Sequence, residues 1–305
     1  MTKRRKKNPK PGRGRKITAL IFLVGIVLVA LLAGLGYVNA SIVRLRRAEV
    51  FLQDLPRSFE GTTLLFVSDI DLCGSNDAEK SGALFEKLQA LDPDLLILGG
   101  GYCSRSLVEI LNRPHAAQEL SSHTLAQRKK LFDLLAGFQA PLGKFCIASP
   151  EDLQPEDLSR CMEDAGFQPL FDTRRVLSRQ GESLWLAGIV HTGAHLNSIG
   201  SAFEHDEAVI AIAYSPSLLP ILLTSESIDG GPWADLLLCG HTHGGQVRLF
   251  GQCLLPLNDT EKRFLSGWID NLGLPVLVTQ GIGCKGINLR LGTTPEAWFI
   301  TLRCT

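Results

Sequence analysis

Leu236-Leu237-Leu238-Cys239-Gly240-His241-Thr242-His243-Gly244-Gly245-Gln246 is a short apolar run that ends in two histidines set among glycines. The run reads as a strand buried on both faces, because four apolar residues closed by glycine are too few for a helix. Histidines one residue apart just past a strand end can both address one loop cavity, and the glycines let the backbone fold tightly around its contents. Neutral imidazole is the commonest metal ligand, so the stretch points to a cation site at the carboxyl end of a sheet.

Working outward, short apolar runs alternate with helical patterns, which is the signature of an α/β fold. Strands are expected at 62–67, 95–98, 144–148, 184–190, 208–214, 276–279 and 298–302, and helices at 78–91, 125–138 and 155–165, the last capped by Gly166. Ligands in open α/β sheets gather beyond the carboxyl ends of strands. The segments to inspect are therefore Ser68-Asp69-Ile70-Asp71-Leu72-Cys73, Gly99-Gly100-Gly101-Tyr102-Cys103, Ser149-Pro150-Glu151-Asp152 and Tyr214-Ser215-Pro216.

The chain has 305 residues and a formal charge of zero, which hides an asymmetry. Twelve of its 31 Lys and Arg lie within residues 1–47, which hold no Asp or Glu, so residues 48–305 carry 19 basic against all 31 acidic side chains, a formal −12. Such a body is not expected to bind nucleic acid, which relies on cations facing phosphates. Ile17 to Val38 is uncharged and long enough to cross a bilayer core of about 30 Å. Nine Lys and Arg precede it, and Arg44, Arg46 and Arg47 follow. The positive-inside rule places the N-terminus in the cytoplasm and the body outside. A cleaved signal peptide ending near Ala40 is the alternative; the length of the apolar run favours an uncleaved anchor in the cytoplasmic membrane. Arg4-Arg5 lacks the apolar residues that should follow a twin-arginine signal. The organisation expected is a basic tail at 1–16, a transmembrane helix at 17–38, a juxtamembrane linker leading into the domain at 39–57, and the domain at 58–305.

The order and contexts of these strand ends resemble the calcineurin-like metallophosphoesterase family, particularly its membrane-anchored bacterial branch, from about Ala48 to Thr301. The resemblance implies a sandwich of two facing mixed β-sheets flanked by helices, and two metal ions held by the motifs D-x-H, G-D, G-N-H-(D/E), a lone H and G-H-x-H. Two such cations clamp a phosphate and lower the pKa of a bridging water. Carried over by position, the D-x-H aspartate is Asp69 and its histidine is replaced by Asp71. The bridging aspartate falls at Gly101, the asparagine at Pro150, the next histidine at Glu151 and the lone histidine at Tyr214. His241 and His243 are kept.

Asp69, Asp71, His241 and His243 are therefore the expected ligands, of one divalent metal (Mn, Zn or Fe) rather than two, with Glu151 the candidate acid or base. The function expected is a membrane-anchored metallophosphoesterase-like protein with an impaired centre, or a module binding a phosphate-containing ligand. The alternative is an active single-metal phosphoesterase acting on a phosphodiester or pyrophosphate. The protein partner, if there is one, is not legible.

Three lesser readings accompany these. Gly99-Gly100-Gly101 can present N–H groups to an anion. Cys73 and Cys103 fall on neighbouring strand ends and invite either a disulfide or, with His241 and His243, a zinc site, although the eight cysteines show no CxxC. His191 and His195, with Gly193 between them, read as loop residues on the rim.

Overall fold

A computed structural model describes residues 13–73, 76–106, 111, 122–150, 152, 158–191, 194–253 and 255–305. The apolar N-terminal run forms α1 (Arg13–Ala40), which is long and apolar enough to cross a membrane and leaves its apolar surface uncovered. Its last turn touches the body. Asn39 Nδ2 donates to the carbonyls of Arg290 and Thr293 at 3.1 and 2.7 Å, and the Arg290 N–H donates to the Gly36 carbonyl at 3.0 Å. A Cβ at Gly36 would stand 2.7 Å from Leu289 Cδ1, so a larger residue there would make the Leu289 side chain shift.

One six-stranded sheet has the order β1 (Arg44–Leu52), β14 (Glu296–Cys304), β2 (Thr63–Val67), β3 (Leu95–Leu98), β4 (Gly143–Cys146), β5 (Phe167–Pro169). The other runs β12 (Gly267–Ile269), β13 (Val276–Val278), β9 (Leu236–Cys239), β8 (Val209–Ala213), β7 (Glu182–Ile189), β6 (Arg174–Arg179). β2, β3, β4 and β5 are parallel, as are β7, β8, β9 and β13; β14 against β2, β13 against β12 and β7 against β6 are antiparallel. A small hairpin joins β10 (Arg248–Leu249) to β11 (Gln252–Cys253).

Side-chain alternation along the strands sorts the core into three layers, since successive residues point to opposite faces. Leu64, Phe66, Leu95, Ile97 and Ile300 meet Leu186, Ile210, Ile212, Leu236 and Leu238 between the sheets. Leu65, Val67, Leu96 and Leu98 point the other way, onto Phe85 and Leu88 of α2 (Ala78–Gln89), Leu131, Phe132 and Leu135 of α3 (Ser122–Leu135) and Met162 of α4 (Leu158–Asp164). Ala211, Ala213, Leu237, Cys239 and Val278 pack on Leu196 and Ile199 of α5 (Ala194–Gly200), on Leu219 and Leu222 of α6 (Leu219–Leu222), and on Trp233. This is the expected sandwich of two mixed sheets flanked by helices.

Two differences have plain causes. The stretch 39–57, read as juxtamembrane linker and entry to the domain, contains β1, which pairs along its whole length with β14. It is an edge strand whose first four residues are exposed, so it lacks the apolar run by which buried strands are found. His195 falls within α5 rather than in a loop, and His191, outside the helix, is exposed and bonded through Nδ1 to Asp172.

Candidate metal site

The loops after β2, β3, β4, β8, β9 and β13 meet at one end of the sandwich. The β2 loop is held by the glycine loop beside it: Asp69 and Asp71 N–H groups donate to the Gly100 and Gly101 carbonyls at 2.9 and 2.8 Å. From the other side Ile282 and Gly283 N–H groups donate to the Ser68 and Asp69 carbonyls at 3.1 and 2.7 Å. Nine non-glycine residues have positive φ among those described, and Asp69, Asp71, His241 and His243 are four of them, at 53°, 48°, 75° and 51°. Left-handed conformations of this kind cost of order 1–3 kcal/mol each and persist where surrounding contacts impose them.

Three of the four expected ligands come together. Ligand atoms of Asp69, Asp71 and His243 lie within 4.8 Å of one another, and all three residues are buried. His243 Nε2 is 3.3 Å from Asp71 Oδ2. Asp71 Oδ2 and His243 Nδ1 have no hydrogen-bond partner of normal geometry. A buried carboxylate oxygen left in this way is costly unless a cation or proton compensates it. The donor set, two carboxylates and an imidazole, suits a hard or borderline divalent ion, so the residues present fit one metal.

Burial raises the Asp69 carboxyl to about 6, against the opposing pull of His241 and Ser68. Burial and then the neighbouring Asp69 charge lift Asp71 well above the usual carboxylate range. Burial and the Arg290 charge push His243 well below its ordinary value, which keeps the imidazole neutral and able to bind a metal.

The second cation position is different. His241 was expected as a fourth ligand, but its ring is engaged elsewhere. Nδ1 is 2.7 Å from the Tyr214 hydroxyl, and Nε2 is 3.3 Å from Glu261 Oε1. Only its backbone N–H reaches the metal loop, donating to Asp69 Oδ2 at 2.8 Å. Glu261 sits in α7 (Asp259–Arg263), where it closes a capping box with Asn258 and accepts from Ser215 Oγ at 2.8 Å. Burial alone would raise its carboxyl, but the bonds to His241, Asn258 and Ser215 prevail and hold it at about 2. Gly101 offers no side chain between the two positions, and among the described residues only Asp69, Asp71 and His243 form a group that could hold an ion. Pro150, at the asparagine position, is exposed, and Glu151, the candidate acid or base, lies outside the described residues.

The glycine loop does present N–H groups to an anion, but the anion is the protein's own. Asp152 Oδ2 accepts from the N–H groups of Gly101 and Ser149 at 2.9 and 3.0 Å and from Ser149 Oγ at 2.8 Å, while Oδ1 accepts from Tyr102 N–H at 3.2 Å. The nest is filled from within. Cys73 and Cys103 lie on adjacent segments, as expected, but both are free thiols. Cys73 Sγ points to the Cys284 carbonyl and Cys103 Sγ to that of Thr124, so neither joins His241 and His243 in a zinc set.

Sequence reasoning missed Glu261, Asp152 and Arg290. The last is fully buried, and its guanidinium donates to the carbonyls of Gly283, Gln280, Gly281 and His243, tying the β13 loop to the histidine loop. The sequence does carry a signal for Glu261, since Asn258-x-x-Glu261 is a capping-box pattern, but that pattern places a helix and not its neighbour.

No protein-family model matches the chain. It is 29% identical over 212 residues to the phosphodiesterase YaeI of Escherichia coli, covering 69% of this chain and 70% of that protein. It is 24% identical over 261 residues to the uncharacterized metallophosphoesterase YkuE of Bacillus subtilis, 82% of each chain. It is 22% identical over 294 residues to a transmembrane protein with metallophosphoesterase domain of Bos taurus, covering 90% of this chain but only 60% of that longer protein. The strand-end motifs, the paired six-stranded sheets with Asp69, Asp71 and His243 at their meeting point, and these relatives agree: the chain is similar to the calcineurin-like metallophosphoesterases in sequence and architecture.

Proposed function

We propose that this protein is a membrane-anchored, single-metal member of its family, which binds a phosphate-containing ligand at one divalent cation and has given up dinuclear hydrolysis. The observation that carries this reading is the contrast between the two cation positions. Asp69, Asp71 and His243 converge, with Asp71 Oδ2 and His243 Nδ1 lacking a hydrogen-bond partner of normal geometry, whereas His241 is closed between Tyr214 and Glu261. A bound divalent ion would supply a Lewis acid for a phosphate oxygen. Asp69 and Asp71 would hold it with His243, and Arg290 would keep the histidine loop in register.

The apolar α1, the basic residues ahead of it and the relatives named for a transmembrane segment support anchoring, with the N-terminus in the cytoplasm and the body outside. The E. coli relative is named a phosphodiesterase, which favours a second reading: a slow single-metal phosphodiesterase that draws its acid or base from Glu151.

Full-length protein in detergent, loaded with Mn²⁺ or Zn²⁺, freed of excess and counted by elemental mass spectrometry, is expected to hold about one ion per chain, lost in Asp71→Asn and His243→Ala. Two ions per chain would overturn the proposal. Hydrolysis of bis(p-nitrophenyl) phosphate no faster than Asp71→Asn supports the binding module. Metal-dependent turnover that vanishes in Asp71→Asn and Glu151→Ala decides for the phosphodiesterase.

A further inference from the structure

A groove of about 550 Å³ opens where the foot of α1 meets α2. Ala40, Ser41, Ile42 and Val43 form one wall, and Lys80, Leu84 and Lys87 of α2 form the other. No Asp or Glu lines it among the described residues, although residues 48–305 carry a formal −12. Both lysines are exposed, and Ile42 is 54% exposed. The groove therefore sets two exposed lysines beside the exposed Ile42, with Val43 and Leu84 partly buried next to it, on a body of net negative charge.

Its depth follows from the helix. The uncharged run ends at Val38, and the wall begins two residues later. At 1.5 Å per residue in a helix, and somewhat more beyond it, the wall spans roughly the first 10 Å past the hydrocarbon edge. The headgroup layer is about 5–7 Å thick on each side of the core. Contacts of Gly36 and Asn39 with Arg290 and Thr293 hold the body against this end of the helix, so the groove cannot swing far from the bilayer surface. Lys80 and Lys87 lie seven residues apart on one face of α2, about 10 Å along its axis, close enough for two extended side chains to reach one phosphate.

We infer that this groove holds the phosphate headgroup of an anionic membrane lipid, with Lys80 and Lys87 on the phosphate and Ile42 and Leu84 against the glycerol. The inference rests on the anchoring part of the proposed function and is independent of the metal count. The lipid is a ligand of the body's membrane face. Its site adjoins the metal loops, since Gly283 in the groove donates to the Asp69 carbonyl and Asn76 Nδ2 donates to that of Asp71.

The test uses the full chain extracted into mild detergent, equilibrated with equimolar phosphatidylglycerol and phosphatidylcholine, and examined by native mass spectrometry. Retention of one phosphatidylglycerol at least fivefold over phosphatidylcholine is expected. Lys80→Ala combined with Lys87→Ala should remove that preference. Arg160→Ala combined with Arg175→Ala, which also deletes two exposed positive charges, should leave it intact. Equal retention of the two lipids, an unaltered preference in the lysine variant, or an equal loss in the arginine variant would overturn the inference. So would full displacement by millimolar glycerol phosphate, which would mean a soluble phosphate site. Carbonate extraction of membranes from expressing cells tests the anchor separately: release of the chain sinks the anchoring reading, whereas a retained chain without lipid preference sinks this inference alone.

Discussion

The Tyr214 hydroxyl stands 2.7 Å from Nδ1 of His241, with the two rings 4.6 Å apart and tilted by 57°. This contact occupies a ring nitrogen of the remaining histidine at the second cation position, and Glu261 faces the other. Tyr214→Phe removes one hydrogen bond, which is worth about 0.5–1.5 kcal/mol. It is expected to lower the melting temperature by a few degrees and to leave metal content at about one ion per chain. Elemental analysis giving two ions would show that the hydroxyl alone had closed the position.

Gly101 is the harder obstacle to a dinuclear centre. Its φ is +70°, and a Cβ there would lie 2.9 Å from Asp69 Oδ1 and 3.1 Å from Asp69 Cα. Gly101→Asp would also add a carboxylate beside the buried Asp69 and Asp71. The variant is expected to lose about 2–4 kcal/mol, roughly 5–15 °C in a domain of this size. Restoring four of the five replaced family residues, with Pro150→Asn, Glu151→His and Tyr214→His added, is therefore expected to destabilise the fold rather than rebuild the pair of metals. A melt of Gly101→Asp within 2 °C of the wild type would refute the steric argument.

What could be read beforehand follows from burial. Leu95–Leu98 and Leu236–Cys239 are buried on both faces and announce themselves as unbroken apolar runs, and the residues after them are the site. β1 and β6 are edge strands rich in arginine, with mostly exposed side chains, so no pattern marks them. At the site, Asp69, Asp71 and His243 were legible because each follows a strand directly. Glu261 reaches His241 from a helix 20 positions on, and Asp152 turns back into the glycine loop; both are tertiary contacts that local spacing does not encode.

Asp152 carries its own prediction. Its carboxylate takes three backbone N–H groups and the Ser149 hydroxyl, and burial raises its pKa despite them. Asp152→Ala would strand buried donors of Gly101, Tyr102 and Ser149, each orphan costing about 1–3 kcal/mol where water cannot enter. Urea unfolding is expected to show a lower midpoint with an unchanged m-value, corresponding to a loss of about 2–4 kcal/mol in unfolding free energy. An unaltered midpoint would mean that the glycine loop holds its shape without the internal anion.

Metal binding should depend on pH in a defined direction. Asp69 is raised to about 6, and Asp71 is also raised, so below that range protons occupy the carboxylates a cation needs. A raised carboxyl pKa also means that the metal-free fold loses this contribution as pH climbs from about 4 through 6, because the folded state holds protons the unfolded chain releases. A bound cation offsets that loss. The melting-temperature gain from saturating Mn²⁺ is expected to be small at pH 5 and to grow up to pH 7.5, and to vanish in Asp69→Asn. A gain that is flat across this range would separate the carboxylates from the metal site.

Arg290 links the site to the apolar N-terminal helix. Its side chain has no exposure and binds the carbonyls of Gly283, Gln280, Gly281 and His243, while its backbone N–H donates to Gly36. Arg290→Met would keep much of the volume but leave buried carbonyls without donors. The expected loss is about 3–5 kcal/mol, read as a drop of roughly 6–20 °C in a thermal melt. Arg290→Lys should recover less than half of it, because one ammonium cannot reproduce the planar fork that spans two loops. The charge of Arg290 also helps to keep His243 neutral, after burial, so the methionine variant should raise the pKa of His243 while burial still holds it below the ordinary value. Amide exchange around 280–283 should accelerate in the methionine variant. If it stays protected and the melt moves by less than 2 °C, the two loops are held together by something other than this arginine.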